Sequence, residues 1–81
     1  MTQDQKARAL TLCNNTAHAP NLSMDKIRAI NRAVKQMRDQ TSLPTEQVDV
    51  MLGALEREIE QVAGIPMSEI STLARTSEWG Y

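Results

Sequence analysis

The stretch SMDKIRAINRAVKQMRDQ, residues 23–40, decides the fold. Ile27, Ile30, Val34 and Met37 recur at steps of three, four and three, with Ala29 and Ala33 beside them. That spacing lays one apolar stripe along a helix, which turns about 100° per residue. Arg28, Arg32, Lys35 and Arg38 fall on the opposite face. Ser23 suits the N-cap, because its hydroxyl can accept a hydrogen bond from a free amide of the first turn. Leu22 and Ile27 stand where a hydrophobic staple places its two residues. Asp25 in the first turn and Arg38 near the last complement the helix dipole. The pattern predicts a helix over residues 24–40.

Outward toward the C-terminus, Pro44 stands at or near the first position of a second long helix, residues 45–63, since the missing amide costs nothing there. Val48, Met51, Leu52, Leu55, Ile59 and Val62 form its stripe. Val48, Leu55 and Val62 are spaced by sevens, which suits an antiparallel helical hairpin or a short coiled-coil seam. Gly53 costs about 1 kcal/mol relative to alanine in a helix interior. It marks either a close approach between helices or the point where this helix divides. Gly64 has the place of a C-terminal cap residue, with Ile65 folding back. Pro66 opens a shorter helix, residues 66–75, with Ile70 and Leu73 facing inward. Residues 76–81 show no periodicity and are expected to be a flexible tail.

Toward the N-terminus, Thr2 and Gln5 form a capping-box pattern that starts a helix over residues 3–13. Ala9, Leu10 and Cys13 can share one face, with Leu12 beside it. Asn14, Asn15 and Pro20 then predict a loop before Ser23. The expected fold is all-α: one helical domain over residues 1–81, a small bundle of about four helices around a central antiparallel hairpin.

Among its 81 residues the chain has no Phe, and its two aromatic residues are Trp79 and Tyr81. The core must be built from Leu, Ile, Val, Met and Ala. Small scaffolds of this kind commonly gain stability by oligomerising, so a homodimer or higher homo-oligomer is expected, packed through the apolar stripes. The single Cys13 cannot form an internal disulfide and fits a reducing compartment. No basic segment followed by an apolar one opens the sequence, and no apolar run approaches the length that spans a bilayer. A cytoplasmic location with no membrane partner is the expectation.

Charge is divided between the halves. Lys6, Arg8, Lys26, Arg28, Arg32, Lys35 and Arg38 face three aspartates in residues 1–40, a balance of +4. Arg57 and Arg75 face Glu46, Asp49, Glu56, Glu58, Glu60, Glu69 and Glu78 in the remainder, a balance of −5. A dipolar small protein tends to bind something charged or a second copy of itself. Enzyme chemistry finds little support. One His and one Cys do not make a metal site, and the three glycines are too scattered for a phosphate loop. Glu56 and Glu60 lie four apart on one helical face, but a carboxylate pair needs desolvation to become an acid and a base. No catalytic residue, cofactor or metal is expected.

The basic face of the second helix is the leading candidate site. Arg28, Arg32, Lys35 and Arg38 can meet an acidic protein surface or phosphates. The alternative is a solvated face, or one that pairs with the acidic third helix of its own chain or of a partner copy. Trp79 and Tyr81 can serve as an interface anchor or cover the helix ends.

The segment from Ile59 to Leu73 resembles a helix-turn-helix of the bacterial repressor type. Ile59, Ala63, Ile65, Ile70 and Leu73 match its buried positions, and Gly64 matches its turn. The resemblance implies a dimeric DNA-binding regulator that reads bases with Ser68, Glu69, Thr72 and Arg75 while the basic helix meets the backbone. Glu60 departs from it, standing where that family carries a small residue. Division of the third helix at Gly53 would supply the short helix that the motif requires.

Three functions follow as expectations. The first is a non-enzymatic interaction protein that modulates or inhibits a macromolecular partner, in the manner of small bacterial or phage accessory factors. The second is the DNA-binding regulator. The third is a binder of a small anionic ligand such as a nucleotide at a subunit interface.

Overall fold

The computed structural model describes the backbone of residues 1–79 and the side chains of residues 1–75. It contains α1 (Gln3–His18), α2 (Met24–Asp39), α3 (Thr45–Ala63) and α4 (Met67–Trp79). The fold is all-α, a bundle of four helices.

Helix α1 begins as the sequence requires. Thr2 Oγ1 accepts from the Gln5 amide, and Gln5 Oε1 accepts from the Thr2 amide. It ends at His18, not at Cys13, so the loop expected from Asn14 onward is shorter. Tertiary contacts outweigh the weak helix propensity of Asn and Thr here. Asn15 and Thr16 are buried, Asn15 Nδ2 donates to Ser71 Oγ of α4 at 2.8 Å, and Thr16 Oγ1 donates to the Leu12 carbonyl at 2.7 Å. Pro20 ends the helix by disfavouring helical backbone at Ala19, which is extended at φ −70°, ψ 137°. Asn21 then takes the left-handed conformation, φ 67°, which Asn tolerates better than most residues. Its Nδ2 donates to the Ala63 carbonyl at the end of α3.

Helix α2 starts at Ser23, whose hydroxyl accepts from the Lys26 amide. Pro44 caps α3, and its carbonyl accepts from the amides of Gln47 and Val48. Lys26, near the start of α2, pairs with Glu58, near the end of α3, as an antiparallel hairpin requires. Helix α3 runs unbroken through Gly53. Gly64 ends it in the left-handed conformation, φ 76°, with its amide donating to the Glu60 carbonyl. Helix α4 continues past Arg75, so residues 76–79 are helical where a tail was expected, while Gly80 and Tyr81 lie outside the described residues.

Helices α1 and α3 each pack against the other three, whereas α2 and α4 do not meet among the described residues. The core joins Ala9 and Leu12 of α1, Ile30, Val34 and Met37 of α2, Val48, Leu52, Ile59 and Ala63 of α3, and Ile70 of α4. The stripes of α2 and α3 are therefore buried or half-buried within one chain, except Val62 at the end of α3, which is 38% exposed. The residues buried there are not free to pack against a second copy. Two further inward assignments fail. Leu10 is 70% exposed, because the buried face of α1 runs Gln5, Ala9, Leu12, Thr16. Leu73 is 44% exposed and Ala74 takes the inward place beyond Ile70.

Gly53 marks neither a division of α3 nor a close approach between helix backbones. A Cβ there would lie 3.7 Å from Arg8 Nη2, an ordinary contact with a flexible side chain. Gly53→Ala is expected to stabilise the fold by about 1 kcal/mol, from helix propensity. A thermal melt followed by circular dichroism should rise by about 4–8 °C. A fall would mean that the Arg8 side chain needs that gap.

Candidate interaction surface

Because α2 lies on the flank of the bundle, its outer face is free of other helices. Arg28, Arg32, Lys35 and Arg38 are all exposed there. At 1.5 Å per residue they form a ridge about 15 Å long. No side-chain hydrogen bond or ion pair joins any of the four to another described residue.

The acidic helix is answered by other cations. Arg8 of α1 forks onto Glu56, with Nε to Oε2 at 3.1 Å and Nη2 to Oε1 at 2.6 Å, and its Nη1 lies 3.6 Å from Asp49 Oδ1. The hydrogen bond to Glu56 raises the Arg8 pKa further, against a smaller opposing effect of burial. Gln5, buried at 4% exposure, donates from Nε2 to both the Thr45 carbonyl and Asp49 Oδ1. Lys26 takes Glu58. The expected alternative, in which the ridge pairs with α3 of its own chain, is thus absent among the described residues. Asp49 and Glu56, seven apart on one face of α3 beside Gly53, were the available signal for this clamp, but nothing in the sequence placed Arg8 opposite them.

Glu60 has a structural task. Its Oε2 accepts from the Met67 amide at 2.9 Å and so caps the first turn of α4. Glu56 and Glu60 are therefore each engaged, one by a guanidinium and one by a backbone amide. Among the described residues, no three His, Cys, Asp or Glu side chains are grouped to hold a metal.

Ser68, Glu69, Thr72 and Arg75 are exposed on α4, and Thr72 Oγ1 donates to the Ser68 carbonyl. The geometry before them differs from the repressor motif. Helix α3 has 19 residues and is not divided at Gly53. The amide end of α4, which could meet a phosphate, is occupied by the Glu60 carboxylate. Trp79 closes the backbone of α4, but its side chain and all of Tyr81 lie outside the described residues.

The ridge ends at a cleft that sequence periodicity did not indicate. About 760 Å³ of space lies between α1 and the C-terminal end of α2, bounded by Met1, Lys6, Leu10, Cys13, Arg38 and Asp39. Burial pushes the Cys13 thiol pKa up, and Arg38 partly offsets this by favouring the thiolate. No described helix is long and apolar enough to cross a membrane. No protein-family model matches the chain, and no curated protein or solved structure matches it.

Proposed function

We propose that this chain is a non-enzymatic interaction protein that binds a macromolecular partner through an acidic protein surface and modulates or blocks it. Arg28, Arg32, Lys35 and Arg38 make the contact. The supporting observation is that these four cations stand exposed on one flank while α3 finds its counter-charges in Arg8 and Lys26. A ridge that was merely part of the internal charge balance would be expected to face those carboxylates.

The test is a fluorescence-anisotropy titration with a labelled Glu-rich helical peptide. Binding is expected at about 30 mM salt and should weaken strongly by about 300 mM, as exposed charges are screened. A flat titration at the lower salt rejects the proposal. A random-sequence DNA duplex in the same assay separates it from the regulator function. Duplex binding that depends on Ser68, Thr72 and Arg75 would favour DNA.

A further inference from the structure

We infer that the cationic ridge and the adjoining cleft form one docking surface, fitted to an acidic amphipathic helix that carries a large apolar side chain just beyond its run of carboxylates. The inference rests on the acidic-partner proposal and names the partner's shape.

Arg38 belongs to both parts, as the last cation of the ridge and a wall of the cleft. The ridge advances by four, three and three residues. One face of a helix repeats at those same steps, so carboxylates spaced that way on a partner helix can meet successive cations. Past Arg38 the surface changes character. Met1, Leu10 and Cys13 give the cleft an apolar lining, with Lys6 and Arg38 as cations and Asp39 as an acid at its edge. At about 760 Å³ it falls within the usual 300–1,000 Å³ of pockets that hold apolar groups. Leu10 is the most exposed large apolar side chain among the described residues, at 70%. Covering it gains apolar burial for both molecules.

A second copy of this chain does not supply such a helix. On α3, Asp49 and Glu56 are held by Arg8, Glu58 by Lys26, and Glu60 by the Met67 amide, which leaves Glu46 alone and no run of carboxylates at steps of four, three and three. The occupant is therefore a foreign acidic segment.

Two synthetic helical peptides test this. Both carry Glu at steps of four, three and three, and one adds a Trp one turn further on. The Trp peptide is expected to bind about tenfold more tightly, as burial of one large apolar side chain allows. It should also slow the reaction of Cys13 with a disulfide reagent. Cys13 is the chain's one cysteine, so that signal reports the cleft alone. Leu10→Gln, at an exposed position, should abolish most of the Trp gain and leave the salt-sensitive binding of the all-Glu peptide intact. Equal affinities with an unchanged Cys13 rate would overturn the docking surface and leave the ridge standing. Failure of both peptides to bind would overturn the acidic-partner proposal itself.

Discussion

Leu52→Ala is expected to lower the melting temperature by at least about 10 °C, the largest effect of any single truncation considered. Leu52 is fully buried, at 0% exposure, and lies on α3, which touches each of the other three helices. Removing a buried leucine costs roughly 2–5 kcal/mol, through lost transfer energy and the cavity left behind. A domain of this length is held by roughly 4–12 kcal/mol in all. Each kcal/mol shifts the midpoint by about 4–8 °C at this size. The core has few large side chains that could collapse into the space, since no Phe is present and Ala9 and Ala63 line part of it. Leu10→Ala is the matched control. The same truncation at a 70% exposed position should stay within about 0.5 kcal/mol of the parent. Equal losses at the two sites, measured by calorimetry, would show that the packing assignment of α1 and α3 is wrong.

That pair of leucines also shows where sequence reasoning succeeds and where it stops. Leu52 is legible because the stripe of α3 is continuous and apolar, so periodicity alone selects its face. The same holds for Ile30, Val34 and Met37 on α2, and for the terminal signals of Ser23, Pro44 and Gly64. Leu10 is misread because the inward face of α1 is largely polar. Gln5, Asn15 and Thr16 are buried on it. A hydrophobic pattern cannot find a face whose residues are held by hydrogen bonds across to Thr45, Asp49 and Ser71, since those partners are 40 or more positions away. The extension of α1 from Cys13 to His18 is hidden from the sequence for the same reason. The cationic side of the candidate surface was legible from spacing within α2. Its freedom from α3 was not, because that depends on α1 delivering Arg8 to Glu56. The cleft was not legible either, being formed where α1 meets the end of α2.

Replacing Arg28, Arg32, Lys35 and Arg38 together by Gln is expected to weaken capture of an acidic peptide by between about fivefold and several hundredfold. Exposed ion pairs contribute about 0.2–1 kcal/mol each, so four give roughly 1–4 kcal/mol, and each 1.4 kcal/mol is about tenfold in affinity. The residual binding should lose most of its salt dependence, since the screened charges are gone. Stability should move the other way. Arg28 and Arg32 are four apart, Arg32 and Lys35 three, Lys35 and Arg38 three. Like charges at those steps on a helix destabilise it by roughly 0.2–0.5 kcal/mol per pair. No ion pair with another described residue offsets this, and the favourable place of Arg38 in the last turn of α2, about 0.3–1 kcal/mol, offsets only part of it. The variant should thus melt at or above the parent temperature while binding less. Arg8→Gln supplies the contrast, because it breaks the fork onto Glu56 and should lower stability without touching the ridge. A quadruple variant that lost stability instead would make the ridge part of the fold's own charge balance, and the interaction proposal would fall. A variant that gained stability and lost binding would show a surface kept at a cost to folding, which is the mark of residues retained for a partner.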